Sequence, residues 1–257
     1  MEITYVVFLN GVYPKNLDKL KEIVKDKRII CADGGTNTCF KMNLTPDLII
    51  GDMDSVEKEV LKAYKGVKLI RSIRGKDYTD FELALMYIEK EDILDVTTRF
   101  KDKKRIDKEE RVTPVLVVGA TGNRVDMTLS NILKLQSNKN MVFLTENFEY
   151  MRYIKLDKST EVIKNLSGKI FSIIPITDLE KLDLKGFVYN LDGVDIDKSI
   201  GLASNIVKDD RAYIYCEKGE MYLIHEWIFW KNDKWIWLWE KRRSGKNGEN
   251  YTRSNRK

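Results

Sequence analysis

Acidic residues follow a short apolar run in the N-terminal third of the sequence. Asp52 and Asp54 come directly after Leu48–Ile50 and Gly51, and this run is typical of a buried strand in a parallel sheet. Two carboxylates one residue apart can reach a single hard cation, and Mg²⁺ binds one or two carboxylates together with phosphate oxygens. Because open α/β sheets bind ligands beyond the carboxyl ends of their strands, this turn is a candidate metal site.

A second acidic turn precedes a predicted helix. Thr79 and Glu82 have the spacing of a capping box, and apolar residues then recur at helical spacing, which predicts a helix beginning near Asp80. Lys76 and Asp77 therefore lie near a helix N-terminus, which favours a metal–phosphate complex. Any one acid of these turns is also explained by an ordinary turn or N-cap, but four acids on two strand-end turns favour a functional cluster.

A third candidate is the glycine-rich turn Gly119–Arg124. It follows the apolar strand Val115–Val118 and precedes a predicted helix with Leu129, Ile132 and Leu133 on one face. A strand, a glycine-rich turn and a helix in succession are typical of backbone donors that face a phosphate. Such turns are also common for steric reasons, so this pattern is weak by itself.

Composition and charge favour a globular cytoplasmic protein. No stretch approaches the roughly 18 apolar residues of a membrane helix, and no basic segment of a signal peptide precedes the first apolar run. The three cysteines lack metal-ligand spacing. Seven of the 45 basic residues and one of the 40 acids fall in 241–257, so residues 1–240 carry 38 basic and 39 acidic residues, a net charge of −1. We therefore expect neither nucleic acid nor a membrane as a partner of the protein body.

The pattern of predicted elements changes near residue 145. Before it, strands alternate with helices, which predicts βαβ units and a Rossmann-like parallel sheet, interrupted by a charged insertion at 99–111. After it, short strand-like runs predict an all-β domain that ends in a β-hairpin turning at Lys218-Gly219. We predict domains over 1–145 and 146–225, followed by an atypical tail over 226–257 that contains all five tryptophans and a basic run.

These residues resemble the markers of the thiamine pyrophosphokinase family, whose members transfer diphosphate from ATP to thiamine. The resemblance covers roughly residues 1–224. Its markers occur in order: Ala32-Asp33-Gly34-Gly35 with Asn37; Pro46-Asp47 with Gly51-Asp52-Met53-Asp54-Ser55; Lys76-Asp77-Tyr78-Thr79-Asp80; Gly122-Asn123-Arg124-Val125-Asp126 with Thr128, Leu129 and Asn131; and Gly201 with Ser204-Asn205. One departure is Met127, where the family commonly has His, so a polar contact at this position is lost or replaced.

The resemblance implies a fold, two substrates and an assembly. The fold would be an α/β N-terminal domain that binds nucleotide and Mg²⁺, followed by a C-terminal all-β sandwich that binds thiamine. The protein would form a homodimer with active sites between the subunits. The implied residues are Asp52, Asp54 and Asp80 for Mg²⁺; Asp33, Gly34, Gly35, Asn37, Thr79, Thr121, Gly122 and Asp126 for ATP; and Ser204 and Asn205 for thiamine.

Our mechanistic hypothesis needs no covalent catalysis. The only histidine, His225, lies outside every motif, so a Ser–His or Cys–His nucleophile system is excluded. Phosphoryl-type transfer depends mainly on positioning and on electrostatic stabilisation. Lys76 and Arg124 would offset charge in the transition state, and Asp77 or Asp80 would orient or deprotonate the thiamine hydroxyl, which attacks the β-phosphorus and releases AMP.

Three other functions stay open at this stage. A phosphatase of the haloacid dehalogenase class also places Asp-x-Asp after an apolar strand, but that class gives no reason for Asp33-Gly34-Gly35 or for Lys76–Asp80. A non-catalytic nucleotide- or thiamine-binding regulator would bind without turnover. A nucleic-acid-associated protein would act through the basic tail and bind in a salt-sensitive manner.

Overall fold

The structure is a computed structural model that describes residues 3–72, 78–99, 113–122 and 124–226, with only the main chain for 91–99. The predicted catalytic residues Lys76 and Asp77, residues 100–111 of the charged insertion and residues 227–257 of the predicted tail lie outside the described residues. No helix among the described residues is long and apolar enough to span a membrane.

The first half of the chain forms a parallel sheet with helices between its strands. The elements in order are β1 Tyr5–Phe8, α1 Leu17–Val24, β2 Arg28–Ala32, α2 Gly35–Lys41, β3 Leu48–Gly51, α3 Lys58–Ala63, β4 Lys68–Arg71, α4 Asp80–Arg99, β5 Val115–Val118, α5 Val125–Lys134, a 3₁₀ turn at Leu135–Ser137 and β6 Met141–Leu144. Strand β5 has the bounds that the sequence predicts.

Both faces of this sheet are covered. Along β1, Val6 and Phe8 pack in a core with α1, α2 and α3, whereas Tyr5, Val7 and Leu9 pack in a second core with α4 and the 3₁₀ turn. The strand order is β4-β3-β2-β1-β5-β6. From β1 the chain adds β2, β3 and β4 on one side of the sheet, and it then returns to add β5 and β6 on the other side of β1. A crevice between the turns after β1 and β5 is the usual ligand site of such a sheet.

The second half of the chain is antiparallel. Its strands are β7 Glu149–Lys164, β8 Ile170–Pro175, β9 Leu179–Lys185, β10 Leu191–Ile196, β11 Leu202–Ile206 and β12 Arg211–Glu226. Strand β7 pairs with β6 of the parallel part, so a single mixed sheet runs through both halves of the chain. A third core, which includes Phe171, Phe187 and Leu179, lies among the antiparallel strands.

The predicted hairpin at Lys218-Gly219 is wrong. Residues 211–226 form one strand, β12, which pairs with β7 along its whole length. On its other side β12 changes partner, from β9 at Tyr213–Lys218 to β8 at Met221–His225. A Cβ at Gly219 would lie 2.5 Å from the Leu179 side chain, so this glycine permits close packing at the change of partner and does not form a turn.

The predicted strand at Gly186–Tyr189 is also wrong. Only one isolated antiparallel bridge forms there, between Phe187 and Val207. Gly186 has a φ of +81°, and a Cβ on it would lie 2.7 Å from the Arg211 carbonyl oxygen. The segment is therefore a turn that packs against the start of β12, and its aromatic and branched residues misled the strand prediction.

Candidate active site

A cavity of about 430 Å³ lies at the crevice between the turns after β1 and β5. Four turns and two helices line it: Leu9–Val12, Ala32-Asp33, Asp52, Asp54 and Ser55, Thr79–Phe81, Gly119–Gly122, and Arg124, Met127, Thr128 and Asn131. A depression of about 500 Å³ between α2 and α3 lies towards the opposite edge of the sheet and is lined by no charged residue. Residues from several of the sequence motifs, including Asp33, Asp52, Asp80 and Arg124, therefore converge on the first cavity.

Three carboxylates meet on one side of this cavity. Asp33, Asp52 and Asp80 each present an oxygen, and these oxygens all lie within 4.8 Å of one another. Asp33 was predicted to contact ATP, and the structure groups it with Asp52 and Asp80, two of the three predicted metal ligands. Asp54 lines the cavity but is not a member of this group, and its carboxylate accepts a hydrogen bond from the Ser55 hydroxyl at 2.9 Å.

Burial distinguishes Asp33 from the other acids. Its side chain is 8% exposed, and burial raises the pKa of this carboxyl above its usual range. Hydrogen bonds from Ser55 oppose the increase, including one from the Ser55 amide at 3.3 Å. A buried carboxylate beside two others is costly unless a cation is present, so this arrangement favours a bound metal.

The backbone at the strand ends is bent to bring these acids together. Asp33 and Met53 have φ values of +44° and +67°, and Gly51 has a φ of +143°. A Cβ at Gly51 would lie 3.1 Å from the Asp33 Cβ and 3.1 Å from the Asp80 Cγ. Non-glycine residues in this region cost about 1–3 kcal/mol each, and such strain is commonly found at functional sites.

We expect Gly51→Ala to weaken cation binding and to destabilise the fold. Alanine is strained at this φ, and its methyl group would push against Asp33 and Asp80, so the free energy of unfolding should fall by about 1–3 kcal/mol. Calorimetric titration with Mg²⁺ and chemical denaturation measure the two effects. Gly66→Ala is the matched control, because no atom lies within 4 Å of a Cβ placed there. Unchanged Mg²⁺ affinity in Gly51→Ala would contradict the close approach.

The side chain of Asn37 supports the acidic loop. Its amide donates to the Ser55 carbonyl at 2.9 Å and accepts from the Glu57 amide at 3.0 Å. Asn37 does not line the cavity, so the structure does not bring this predicted ATP contact to the site. Gly34 and Gly35, also predicted to bind ATP, do not line the cavity and pack against β1 and the turn after it, since a Cβ at Gly34 would meet the Asn10 side chain and one at Gly35 the Phe8 carbonyl.

The capping box at the start of α4 is confirmed. The Thr79 amide donates to the Glu82 carboxylate at 2.9 Å, and the Glu82 amide donates to the Thr79 hydroxyl at 3.2 Å. The bond from the Thr79 amide is the largest cause that lowers the pKa of Glu82, followed by the ion pair with Lys134 at 3.0 Å and a bond from the Thr79 hydroxyl at 3.1 Å. The capping box holds the first turn of α4 in place, and this turn contains Asp80. Without the box the turn would be prone to fraying.

The turn after β5 is packed directly against the turn after β1. A Cβ at Gly11 would lie 2.1 Å from the Thr121 carbonyl oxygen, which accepts a hydrogen bond from the Val12 amide at 2.7 Å. Within the β5 turn, the Gly122 amide donates to the Thr128 hydroxyl at 3.1 Å, and buried Asn131 donates to the Ala120 carbonyl at 2.8 Å. This turn was predicted to offer backbone donors to a phosphate, but the Gly122 donor is already satisfied internally.

Arg124 and Asp126 form an exposed ion pair. The guanidinium donates to both carboxylate oxygens, at 3.2 and 2.5 Å. This pairing, first of all its hydrogen bonds, raises the pKa of Arg124 and lowers that of Asp126. Arg124 lines the cavity and Asp126 does not, so the structure brings only one of the two predicted residues to the site.

Ser204 and Asn205 lie away from this cavity. Ser204 is exposed and Asn205 is half-buried on β11, which pairs with β8. Asn205 exchanges hydrogen bonds with the main chain of Tyr189 at 3.1 and 2.8 Å, and the Ser204 amide donates to the Ser172 hydroxyl at 3.0 Å. Within one chain, the predicted thiamine residues and the acidic group are therefore not part of one pocket.

Sequence reasoning missed the turn after β1 as part of the site. Asn10, Gly11 and Val12 line the cavity, although Asn10-Gly11 was predicted only as a turn between a strand and a helix. The available signal was positional, because the first strand of a doubly wound sheet ends at the crevice. Met127, where the family commonly has His, also lines the cavity.

Comparisons with known proteins agree with this arrangement. Residues 20–144 match the family model described as thiamin pyrophosphokinase, catalytic domain, and residues 154–220 match thiamin pyrophosphokinase, vitamin B1 binding domain. Thiamine pyrophosphokinase 1 of Arabidopsis thaliana is 25% identical over 242 residues, with 85% of each chain covered. Thiamine pyrophosphokinase 1 of Oryza sativa subsp. japonica is 26% identical, and the match covers 85% of this chain and 86% of the rice protein.

Solved structures share the fold. Thiamin pyrophosphokinase from Candida albicans has a TM-score of 0.71 at 20% identity and covers 88% of this chain and 90% of its own. Thiamine pyrophosphokinase from Bacillus subtilis has a TM-score of 0.67 at 22% identity, and the match covers 89% of this chain and 100% of the Bacillus chain. The fold and the acidic crevice are thus those of a doubly wound α/β protein with an antiparallel extension. With both family models matched along its length, the chain belongs to the thiamine pyrophosphokinase family.

Proposed function

We propose that this protein transfers diphosphate from ATP to the hydroxyl of thiamine, giving thiamine diphosphate and AMP. The observation that carries the proposal is the presence of both family domains in one chain. The acidic crevice supports it, because a carboxylate group beside a half-enclosed cavity suits a metal-bound polyphosphate. The phosphatase alternative gains no support, since none of the matched families and relatives named above is a phosphatase.

Mg²⁺ fits the carboxylate group by its chemistry. It prefers hard oxygen ligands, and the three carboxylates would each offer it one oxygen from positions within 4.8 Å of one another. We propose that Asp52 and Asp80 hold the ion and that Asp33 is the third carboxylate, while Asp54 stays a predicted ligand. Mg²⁺ would supply charge neutralisation for the phosphates.

The remaining groups of the chain would position the substrates. We propose that Arg124, at the cavity, can leave its ion pair with exposed Asp126 and reach the phosphates, because an exposed ion pair contributes little to stability. Lys76 keeps its predicted role as a second cation. Since Asp80 belongs to the carboxylate group, we assign the orientation of the thiamine hydroxyl to Asp77.

We further propose the finer architecture that the resemblance implies. The change from parallel to antiparallel pairing between Leu144 and Glu149 supports a division near residue 145 into an α/β domain and a thiamine-binding β-sandwich. All three cysteines are free and buried, which is consistent with a cytoplasmic location.

A homodimer would reconcile the separated site residues. Ile132 of the predicted apolar face of α5 packs against the core, but Leu129 and Leu133 of that face are exposed by 56 and 62%, and Val125 by 69%. Met86 on the neighbouring helix α4 is 48% exposed. Val125, Leu129 and Leu133 are spaced four residues apart and form an exposed apolar stripe on α5, and such a stripe marks an interaction surface. In a twofold dimer the same stripe would serve both subunits, and Ser204 and Asn205 of one chain could complete the cavity of the other.

We expect Leu129→Glu with Leu133→Glu to produce monomers. Buried charges in a symmetric apolar interface are repeated on both sides, so association should weaken at least about a hundredfold. Light scattering after size exclusion should give twice the 30.0 kDa chain mass for the unchanged protein and the single mass for the variant. Leu69→Glu is the control, because Leu69 is 40% exposed on the edge strand β4. A dimer that survives the double substitution would rule out this surface.

A product assay with ATP, Mg²⁺ and thiamine tests the proposed reaction. We expect AMP and thiamine diphosphate in equal amounts, with neither formed when thiamine is omitted. ADP or phosphate without AMP would overturn the proposal and revive the phosphatase. Tight ATP or thiamine binding without any turnover would also overturn it and indicate a non-catalytic regulator, for which Met127→His is the first reversion to examine.

A further inference from the structure

The Thr121 hydroxyl donates its one proton in a hydrogen bond to a glutamate. Thr121 lies in the turn after β5 and lines the cavity, and its hydroxyl donates to the Glu146 carboxylate at 2.8 Å. Glu146 follows β6 and falls between the two matched family domains, which end at 144 and begin at 154. An ionised carboxylate can only accept hydrogen bonds, so the hydroxyl must be the donor in this pair.

This hydrogen bond determines whether the Thr121 hydroxyl can donate to a ligand or accept from it. A threonine hydroxyl has one proton and two lone pairs, so once Glu146 takes the proton the oxygen is left as an acceptor. The phosphate oxygens of ATP are acceptors too and cannot bond to it. The anionic Glu146 beside it also repels phosphate through Coulomb interaction.

The Gly122 amide of the same turn is not available to a phosphate in this arrangement. The Gly122 amide is bonded to Thr128, and the Thr121 carbonyl accepts from Val12. The cation-seeking groups Asp33, Asp52 and Asp80 instead form a separate group in the cavity lining. The side of the cavity with the three carboxylates therefore suits a metal-bound polyphosphate. The side lined by Thr121 suits a ligand group that donates a hydrogen bond.

We propose that Thr121, oriented by Glu146, binds a donor group of the nucleoside and so sets the direction of ATP in the cavity. The donors available on the nucleoside are the two ribose hydroxyls and the adenine amino group. The triphosphate then points towards the carboxylate group. This inference rests on the proposed function, because it requires ATP to be the ligand of the cavity, and it makes Glu146 a positioning residue.

The test compares ATP with analogues that each lack one donor. Equilibrium binding in Mg²⁺ is measured for ATP, 2′-deoxy-ATP, 3′-deoxy-ATP, inosine triphosphate and inorganic triphosphate, on the unchanged protein, Thr121→Val, Thr121→Ser and Glu146→Gln. One analogue should bind the unchanged protein about tenfold more weakly than ATP, as expected for one lost hydrogen bond. Thr121→Val should weaken ATP about tenfold and leave that analogue and inorganic triphosphate unchanged, whereas Thr121→Ser should behave like the unchanged protein.

Glu146→Gln tests the positioning role. A glutamine amide can donate to Thr121 as well as accept, so the hydroxyl is no longer confined to accepting, and the preference for ATP over the sensitive analogue should shrink several-fold. The matched controls are Glu149→Gln and Thr145→Val, because Thr145 donates to Glu149 at 3.1 Å in the neighbouring loop and neither residue lines the cavity. Both controls should leave the preference unchanged.

Two results would overturn the inference. One is an equal loss of affinity for ATP, every analogue and inorganic triphosphate in Thr121→Val, since that pattern indicates a phosphate contact or a distorted turn. The other is the absence of any Thr121-dependent analogue. If the unchanged protein still forms AMP and thiamine diphosphate, only this inference fails. If the unchanged protein binds no ATP, the proposed function fails first and this inference with it.

Discussion

Replacing Asp80 with asparagine should lower the rate of thiamine diphosphate formation by at least about a hundredfold. Asp80 lies in the first turn of α4 and presents an oxygen within 4.8 Å of those of Asp33 and Asp52. Asparagine keeps the shape but removes the charge that a hard cation requires. Losing a group that merely orients a metal ligand already costs 10–100-fold, so losing a ligand itself should cost more.

The control for this substitution is Asp18→Asn. Asp18 is also an acid in the first turn of a helix, α1, but it does not line the cavity. Its substitution therefore measures only the effect of removing a charge from a helix N-terminus. We expect Asp52→Asn to resemble Asp80→Asn, and Asp54→Asn to have a smaller effect, because Asp54 lies outside the carboxylate group. Steady-state kinetics at several Mg²⁺ concentrations measure all four. Equal, small losses in Asp18→Asn and Asp80→Asn would contradict the metal assignment.

The second large effect concerns His225 and acid stability. The imidazole is stacked between Tyr150 and Phe171, with ring centroids 4.8 and 5.6 Å away. The pKa of His225 is lowered from 6.5 to about 4, chiefly by burial; the contact with the Glu226 carbonyl at 2.9 Å opposes the shift, and nearby Arg152 makes a smaller contribution in the same direction as burial. Between pH 6.5 and 4 the unfolded chain binds a proton that the folded chain does not. The free energy of unfolding should therefore decrease by roughly 3 kcal/mol as the pH falls through this window.

His225→Phe isolates this contribution. The variant keeps an aromatic ring between Tyr150 and Phe171 and removes the titration, so its stability should depend less on pH between 6.5 and 4 than that of the unchanged protein. The chain contains one histidine, so a single imidazole resonance reports its pKa directly by NMR. Denaturant titrations at several pH values measure the rest. An imidazole that titrates near 6.5 in the folded protein would contradict the buried stack.

Local signals predicted the parts of the site that depend on neighbours in sequence. The apolar run before Gly51 is a strand, and Thr79 and Glu82 form the capping box that their spacing indicates. Both features depend on residues within a few positions of one another. Periodicity and capping therefore place Asp52 and Asp80 at strand and helix ends without knowledge of the fold.

Features that depend on distant packing were not predictable in this way. Gly219 resembles a turn residue, but it is conformationally ordinary and simply leaves room for the Leu179 side chain. Asp33 joins the metal-type group in place of Asp54 because φ values at Asp33 and Met53 redirect the side chains. The outward face of α5, with Leu129 and Leu133, has the periodicity of a core face, and apolar periodicity does not say whether the covering surface belongs to the same chain.

The transfer of an intact diphosphate is tested most directly by following labelled phosphorus. ATP carrying ³²P in the α position and ATP carrying it in the γ position are each incubated with thiamine, Mg²⁺ and excess protein for a single turnover. The α label should appear only in AMP, and the γ label only in thiamine diphosphate. A γ label found in inorganic phosphate or in thiamine monophosphate, with the α label in ADP, would contradict diphosphate transfer.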